Sequence, residues 1–181
     1  MRTAEDVIRF WFVEHGRDDW FGGKAEFDAE LAEQFAETHL RVAQGEAWQW
    51  RATPKGRLAE IIVLDQFSRQ LHRGSPLAFA QDRMALVLAQ EMIAQGLDLA
   101  MSTDERMFIL LPFMHSESRV IQAESMRLHK ALGDEKGLDF AAKHHDCIMR
   151  FGRYPFRNKA LGRDSTAAEV AYMEEAGNRG F

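Results

Sequence analysis

Residues 58–73 read LAEIIVLDQFSRQLHR, a segment that is apolar on every side and then turns abruptly charged. Ile61, Ile62, Val63 and Leu64 cover all directions of a helical wheel, so the segment reads as a helix enclosed by others. At about 100° per residue, Asp65 and Arg69 fall on the face of Leu58, Ile61 and Ile62. A helix running through this stretch carries a carboxylate and a guanidinium inward. Exposed, such an i, i+4 pair contributes only about 0.3–0.5 kcal/mol. Buried, each ion costs several kcal/mol to dehydrate, so stability alone does not explain it. Two readings stand: a network tying helices together, or a ligand or catalytic site. Gln66 lies beside the pair and Arg73 a turn further on. For Arg69 the wheel argument requires a helix unbroken near Phe67.

Working outward, helix signals dominate and no alternating strand pattern is convincing. Thr3 with Asp6 forms a capping box before Val7, Phe10 and Trp11, and Gly16 ends that helix. Residues 18–23 read as a loop anchored by Trp20 and Phe21. A second helix is expected over 24–44, with Phe27, Leu31 and Phe35 at four-residue spacing and Gly45 as its stop. Trp48 and Trp50 are expected to plug a gap between helices. Thr53-Pro54 starts the helix quoted above, and Ser75-Pro76 starts the next in the same way. That fourth helix carries Leu86, Val87, Ala89, Met92 and Ile93 to Gly96. Ser102 with Glu105 caps the segment Met107–Leu111, and Pro112 inside it predicts a kink or break. Two further helices are expected over 118–132 and 138–151, each stopped by a glycine. Residues 153–158 are too irregular for a helix, and Thr166 with Glu169 caps a last short helix before the glycine-containing end.

Composition bounds the function. The 181 residues, 46% of them hydrophobic, suit a single all-α domain over 1–181 with antiparallel helices and short loops. A net charge of -5 argues against general nucleic-acid binding. The longest apolar run, Met107–Met114, is far shorter than the roughly 20 residues of a membrane helix. One cysteine permits no internal disulfide, and no secretory signal is evident, so a cytoplasmic protein with no membrane partner is expected. There is no phosphate-cradling glycine loop, no G-x-S-x-G elbow, no H-E-x-x-H and no paired-cysteine spacing, so neither cofactor nor metal is expected.

Three further groups can carry chemistry. His115 and Glu117 follow the proline; after a break they can face one ligand as an acid/base pair or metal ligands, or serve as a bonded histidine and a cap. His144 lies on a wheel between Phe140, Ile148 and Phe151, either as a satisfied core histidine or as a ligand. From Arg150 to Arg163 the chain is basic without an acid (Arg150, Arg153, Arg157, Lys159, Arg163). Arginines there can grip a phosphate or carboxylate with paired hydrogen bonds, or form a solvated edge at a helix end.

The motifs Trp20-Phe21, 64–69 (LDQFSR), Arg73-Gly74, 78–82 (AFAQD), 112–117 (PFMHSE) and 151–158 (FGRYPFRN), continuing through Leu161-Gly162-Arg163 and Ser165-Thr166, resemble a bacterial family known as domain of unknown function 924. The resemblance implies about eight helices, paired and stacked as in tetratricopeptide repeats into a right-handed superhelix. It brings no activity and no cofactor. Its motif residues here are Asp65, Gln66, Arg69, Arg73, His115, Glu117, His144, Arg153, Arg157, Asn158 and Arg163. Two positions depart: Ser68 where proline is common, and Phe156 where histidine is common. The leading expectation is a binding module with a polar groove or pocket for an anionic small molecule or peptide. The alternatives are an enzyme, for instance a hydrolase using His115 or His144 with Asp65 and the arginines, and a structural or homo-oligomerising protein.

Overall fold

The computed structural model describes residues 1–177, and no strand occurs among them. Ten α-helical segments follow one another: α1 Ala4–Arg9, α2 Arg17–Trp20, α3 Ala25–Ala43, α4 Pro54–Ile62, α5 Ser68–Leu71, α6 Asp82–Ala94, α7 Thr103–Met114, α8 Arg119–Leu132, α9 Glu135–Phe151 and α10 Ala167–Ala176. Because α2 and α5 are single turns, the expectation of about eight helices fits. The three capping boxes form as read: the Thr3, Ser102 and Thr166 side chains accept from the amides of Asp6, Glu105 and Glu169. Thr53 caps α4 by accepting from Gly56 N at 3.0 Å. Gly133 and Gly152 end α8 and α9 in the left-handed conformation that glycine adopts without penalty.

The departures are local. Residues 18–23 are not all loop, because Gly16 and the acidic first turn start α2. Trp48 is 62% exposed and fills no gap; Trp50 alone of that pair packs on the core. Ser75 caps a 3-10 turn, Pro76–Phe79, and α6 begins only at Asp82. Val87 and Phe140, expected on buried faces, are 55% and 56% exposed. Pro112 neither ends nor splits α7, which continues to Met114. Proline in the last turn removes one donor, and the carbonyls after it find other partners: the Gln122 amide reaches Met114 O at 2.8 Å and Ser116 O at 2.7 Å.

The quoted stretch lies at the middle. Helix α4 packs against α1, α6 and α7, and from α6 to α9 each helix packs on the next. Leu58 and Ile61 through Leu64 are completely buried, as the all-round apolar pattern requires. Glu60 is equally buried and is held by Arg51 through two bonds, 2.6 and 2.8 Å. Over one end of α4 lies an aromatic cluster in which Trp11 stacks on Trp20 with centroids 5.8 Å apart, and the Trp20 indole donates to Trp11 O. After Ile62 the chain widens into a π turn, Val63–Phe67, before α5. No described helix is long and apolar enough to cross a membrane.

Truncating the enclosed Ile61 to Ala should therefore lower stability by about 2–5 kcal/mol. Val120→Ala, at a position 79% exposed, should change it by less than about 0.5 kcal/mol. Urea denaturation of both variants measures the contrast; equal losses would mean that α4 is not the centre of the core.

Candidate functional site

The π turn sets the site. A π turn inserts one residue into the helical ladder, and such bulges recur at functional positions. Here it holds Asp65, 1% exposed, at the point where α4 meets the end of α7. One carboxylate oxygen accepts from His115 Nδ1 at 2.8 Å, and the other from Gln66 Nε2 at 2.6 Å. The Arg69 guanidinium approaches the same carboxylate to 3.2 Å and donates to the Asp65 carbonyl at 2.6 Å. Burial by itself would raise the Asp65 pKa, but the Arg69 charge and the His115 contact hold it well below the usual carboxylate range. Asp65 is a buried anion, held by its neighbours.

Arg69 Nη1 also lies 3.0 Å from Asp82, the first residue of α6, and Nη2 donates to the same carboxylate at 3.1 Å. Arg157, only 5% exposed, meets the same carboxylate at 3.1 Å and donates to the His115 carbonyl at 3.0 Å. One acid therefore bridges two guanidiniums from opposite halves of the chain. Both faces of Arg157 are covered, by the Phe79 ring at 4.7 Å and the Tyr154 ring at 4.5 Å. Its Nε is buried and makes no hydrogen bond among the described residues. Burial and the nearby Arg69 charge press the Arg157 pKa down, whereas Asp65 and Asp82 outweigh burial to raise that of Arg69.

His115 sits at the end of α7, and its ring centroid is 6.2 Å from that of His144. The His144 Nδ1 bonds the Phe140 carbonyl at 2.8 Å, the residue behind it on α9. Burial, followed by the Arg69 charge, lowers the His115 pKa despite Asp65. Burial, then the neighbouring His115, pushes His144 down to about 3. Burial therefore favours the neutral form of both imidazoles.

The remaining motif residues form a shell behind this centre. Glu117 is no helix cap: it grips Arg163 at 2.8 and 2.9 Å and accepts from Tyr154 N at 2.7 Å. Arg153 clamps Glu169 at 2.7 and 2.9 Å, tying the loop to α10. Asn158 donates to Ser165 Oγ at 3.0 Å. Arg73 lies elsewhere, paired with Asp28 of α3 at 2.5 Å. Asp82, Gln122, Tyr154 and Glu169 were absent from the sequence-based candidates. Asp82 and Tyr154 were legible in the motifs 78–82 and 151–158; Gln122 on α8 had no such signal. Among the described residues, no three His, Cys, Asp or Glu side chains group so as to hold a metal ion. Two surface depressions, one at Arg150 and Tyr172 and one at Ala4 and Ile8, share no residue with the centre.

The chemistry has a pH signature. His115 and His144 have lowered pKa values in the folded state, so on acidification through the ordinary imidazole value of 6.5 the unfolded chain takes up protons before the folded chain does. Their contribution is present above that pH and falls away on acidification. Asp65 adds a second loss in the same direction below the ordinary carboxylate value of 3.8. Urea midpoints should thus fall from pH 7 to pH 4, and His144→Gln should flatten that slope; an unchanged slope would place the pH dependence elsewhere. Asp65→Asn, which leaves Arg69 short of a buried partner, should cost about 3–5 kcal/mol at pH 7.

Comparison with known proteins agrees with the all-helical fold. A solved structure, that of the protein of unknown function ATU0120 from Agrobacterium tumefaciens, superposes with a TM-score of 0.90 at 37% identity, covering 95% of this chain and 97% of that one. No curated protein matches. Residues 7–177, which include every residue of the centre, match the model of a family described as bacterial protein of unknown function, DUF924. The chain belongs to that family.

Proposed function

We propose that the protein is a binding module whose site is the His115 side of the polar centre, and that its ligand is a small anion bearing a carboxylate or phosphate. The observation that carries this reading is the grip of Arg69 and Arg157 on one Asp82 carboxylate, at 3.0 and 3.1 Å. Two guanidiniums converging on one acid form an oxyanion cradle, the arrangement arginine offers to carboxylates and phosphates. Arg157 Nε and Asp82 Oδ1 are both buried without a hydrogen bond among the described residues, which is costly unless something supplies a partner. The charges within the centre and its shell balance, because Arg69, Arg157, Arg153 and Arg163 face Asp65, Asp82, Glu117 and Glu169. An incoming anion accordingly competes with Asp82 for the guanidiniums instead of meeting free positive charge, and its affinity is modest.

The hydrolase alternative draws on one specific contact, the 2.8 Å bond from His115 Nδ1 to a buried carboxylate. It orients the imidazole as a general base would be oriented. Binding precedes catalysis in either case, so the same measurement comes first.

Sodium phosphate and small carboxylates should raise the melting temperature of the native protein in proportion to occupancy. The rise should vanish in Arg157→Met, which keeps the packed stem but not the charge, and grow in Asp82→Asn, where the internal competitor is gone. Equal shifts in all three proteins would refute an anion site at this cradle.

A further inference from the structure

We propose that residues 155–176 form a strap that pivots at Tyr154, and that its movement admits the ligand to the polar centre and closes Arg157 over it. This rests on the binding reading above and adds how the site is reached.

The centre is sealed by one of the residues that would bind. Arg157 is 5% exposed with its Nε buried, and neither surface depression shares a residue with the centre. An anion therefore meets Arg157 only when part of the shell moves. Core packing identifies that part. Among the described residues the main apolar core contains nothing beyond Ala141, and the strap lies over a separate small cluster of Cys147, Ile148 and Tyr154. Segments with few buried apolar contacts open at lower cost than the fold as a whole.

Helix α10 has the same weakness. A helix of ten residues is marginal by itself and normally depends on packing an apolar face. Among the described residues Glu169, an acid, is the one member of α10 that is buried, while Val170 is exposed. Polar ties hold the strap instead. Glu169 accepts from Arg153 at 2.7 and 2.9 Å, Glu117 from Arg163 at 2.8 and 2.9 Å, and Asp82 from Arg157 at 3.1 Å. In the first two pairs the arginine is partly exposed, so water can take its place at little cost. Arg157 recovers its hydration when it withdraws. Tyr154 stays behind: it is fully buried, and its hydroxyl donates to Met114 O at 2.5 Å. That makes it the pivot.

The chain carries a reporter of this movement. Cys147, its single cysteine, is buried beneath the strap, with Tyr172 of α10 beside its thiol and Arg153 O 3.8 Å away. N-Ethylmaleimide should label it at a rate set by strap opening. In the native chain that rate should hardly depend on urea below the unfolding transition, because a local opening exposes little surface. Glu169→Gln should raise it about tenfold, the scale of one hydrogen bond to a charged group. Sodium phosphate should slow it severalfold by holding Arg157 on the bound anion. Labelling that follows the full urea dependence of global unfolding overturns the strap even if the variant does not fold, as does an unchanged rate in a folded Glu169→Gln. Phosphate that raises the melting temperature but leaves labelling unchanged also overturns it, and the anion site stands. If phosphate does neither, the binding reading fails and takes this inference with it.

Discussion

A charged carboxylate at the end of an apolar helix is the constraint from which most of this structure follows. Asp65 is 1% exposed, and taking such an ion out of water costs several kcal/mol unless its oxygens are fully engaged. Three donors meet that demand: His115, Gln66 and Arg69. Each has a structural consequence. His115 fixes where α7 must end, Arg69 requires α5 to continue the helical path, and the Arg69 charge in turn demands Asp82 at the start of α6. Asp82 then accommodates Arg157 from the far end of the chain. One buried charge thus recruits partners from four separate segments, and the order of helices around α4 is the order that lets them arrive.

The route by which they arrive is the helix end. Helices leave carbonyls and amides without internal partners at their termini, and an end turned inward must satisfy them. The end of α7 does so with Gln122, Arg157 and the Tyr154 hydroxyl, which bonds Met114 O at 2.5 Å. The same groups that complete the backbone also pack the site. Buried Tyr154 covers one face of Arg157 while its hydroxyl holds the end of α7. This double use explains why polar side chains gather so densely at the end of α7.

How much of this was legible in the sequence follows from the range of each interaction. Caps were readable because their chemistry spans three residues: Thr3 with Asp6, Ser102 with Glu105, Thr166 with Glu169. The burial of α4 was readable because an all-round apolar segment has no other stable place. Asp65 and Arg69 could be placed on the inward face, and His115, His144 and Arg157 were each recognisable as groups able to carry chemistry. The partners were less readable. Arg73 joined Asp28, 45 residues away, and nothing local distinguished it from Arg69. Pro112 signalled a break that a last-turn position made unnecessary. The π turn at Val63–Phe67 has no propensity signature, since it arises where tertiary contacts favour an inserted residue over a regular ladder.

The balance of charge in the centre bears on why such a network is retained. A self-compensated cluster of this kind contributes little net stability, because hydrophobic residues of similar volume commonly do as well or better. A purely structural cluster would gain by closing every donor and acceptor. This one does not: among the described residues Arg157 Nε is buried without a hydrogen bond, and Asp65 engages one nitrogen of His115 in a way that fixes the other as an acceptor. Asp82 Oδ1, on the one carboxylate that two guanidiniums share, is likewise buried without a hydrogen bond among the described residues. Buried polar atoms left unsatisfied are costly to a fold and useful to a ligand. That asymmetry, more than the number of charges, separates a site from a staple.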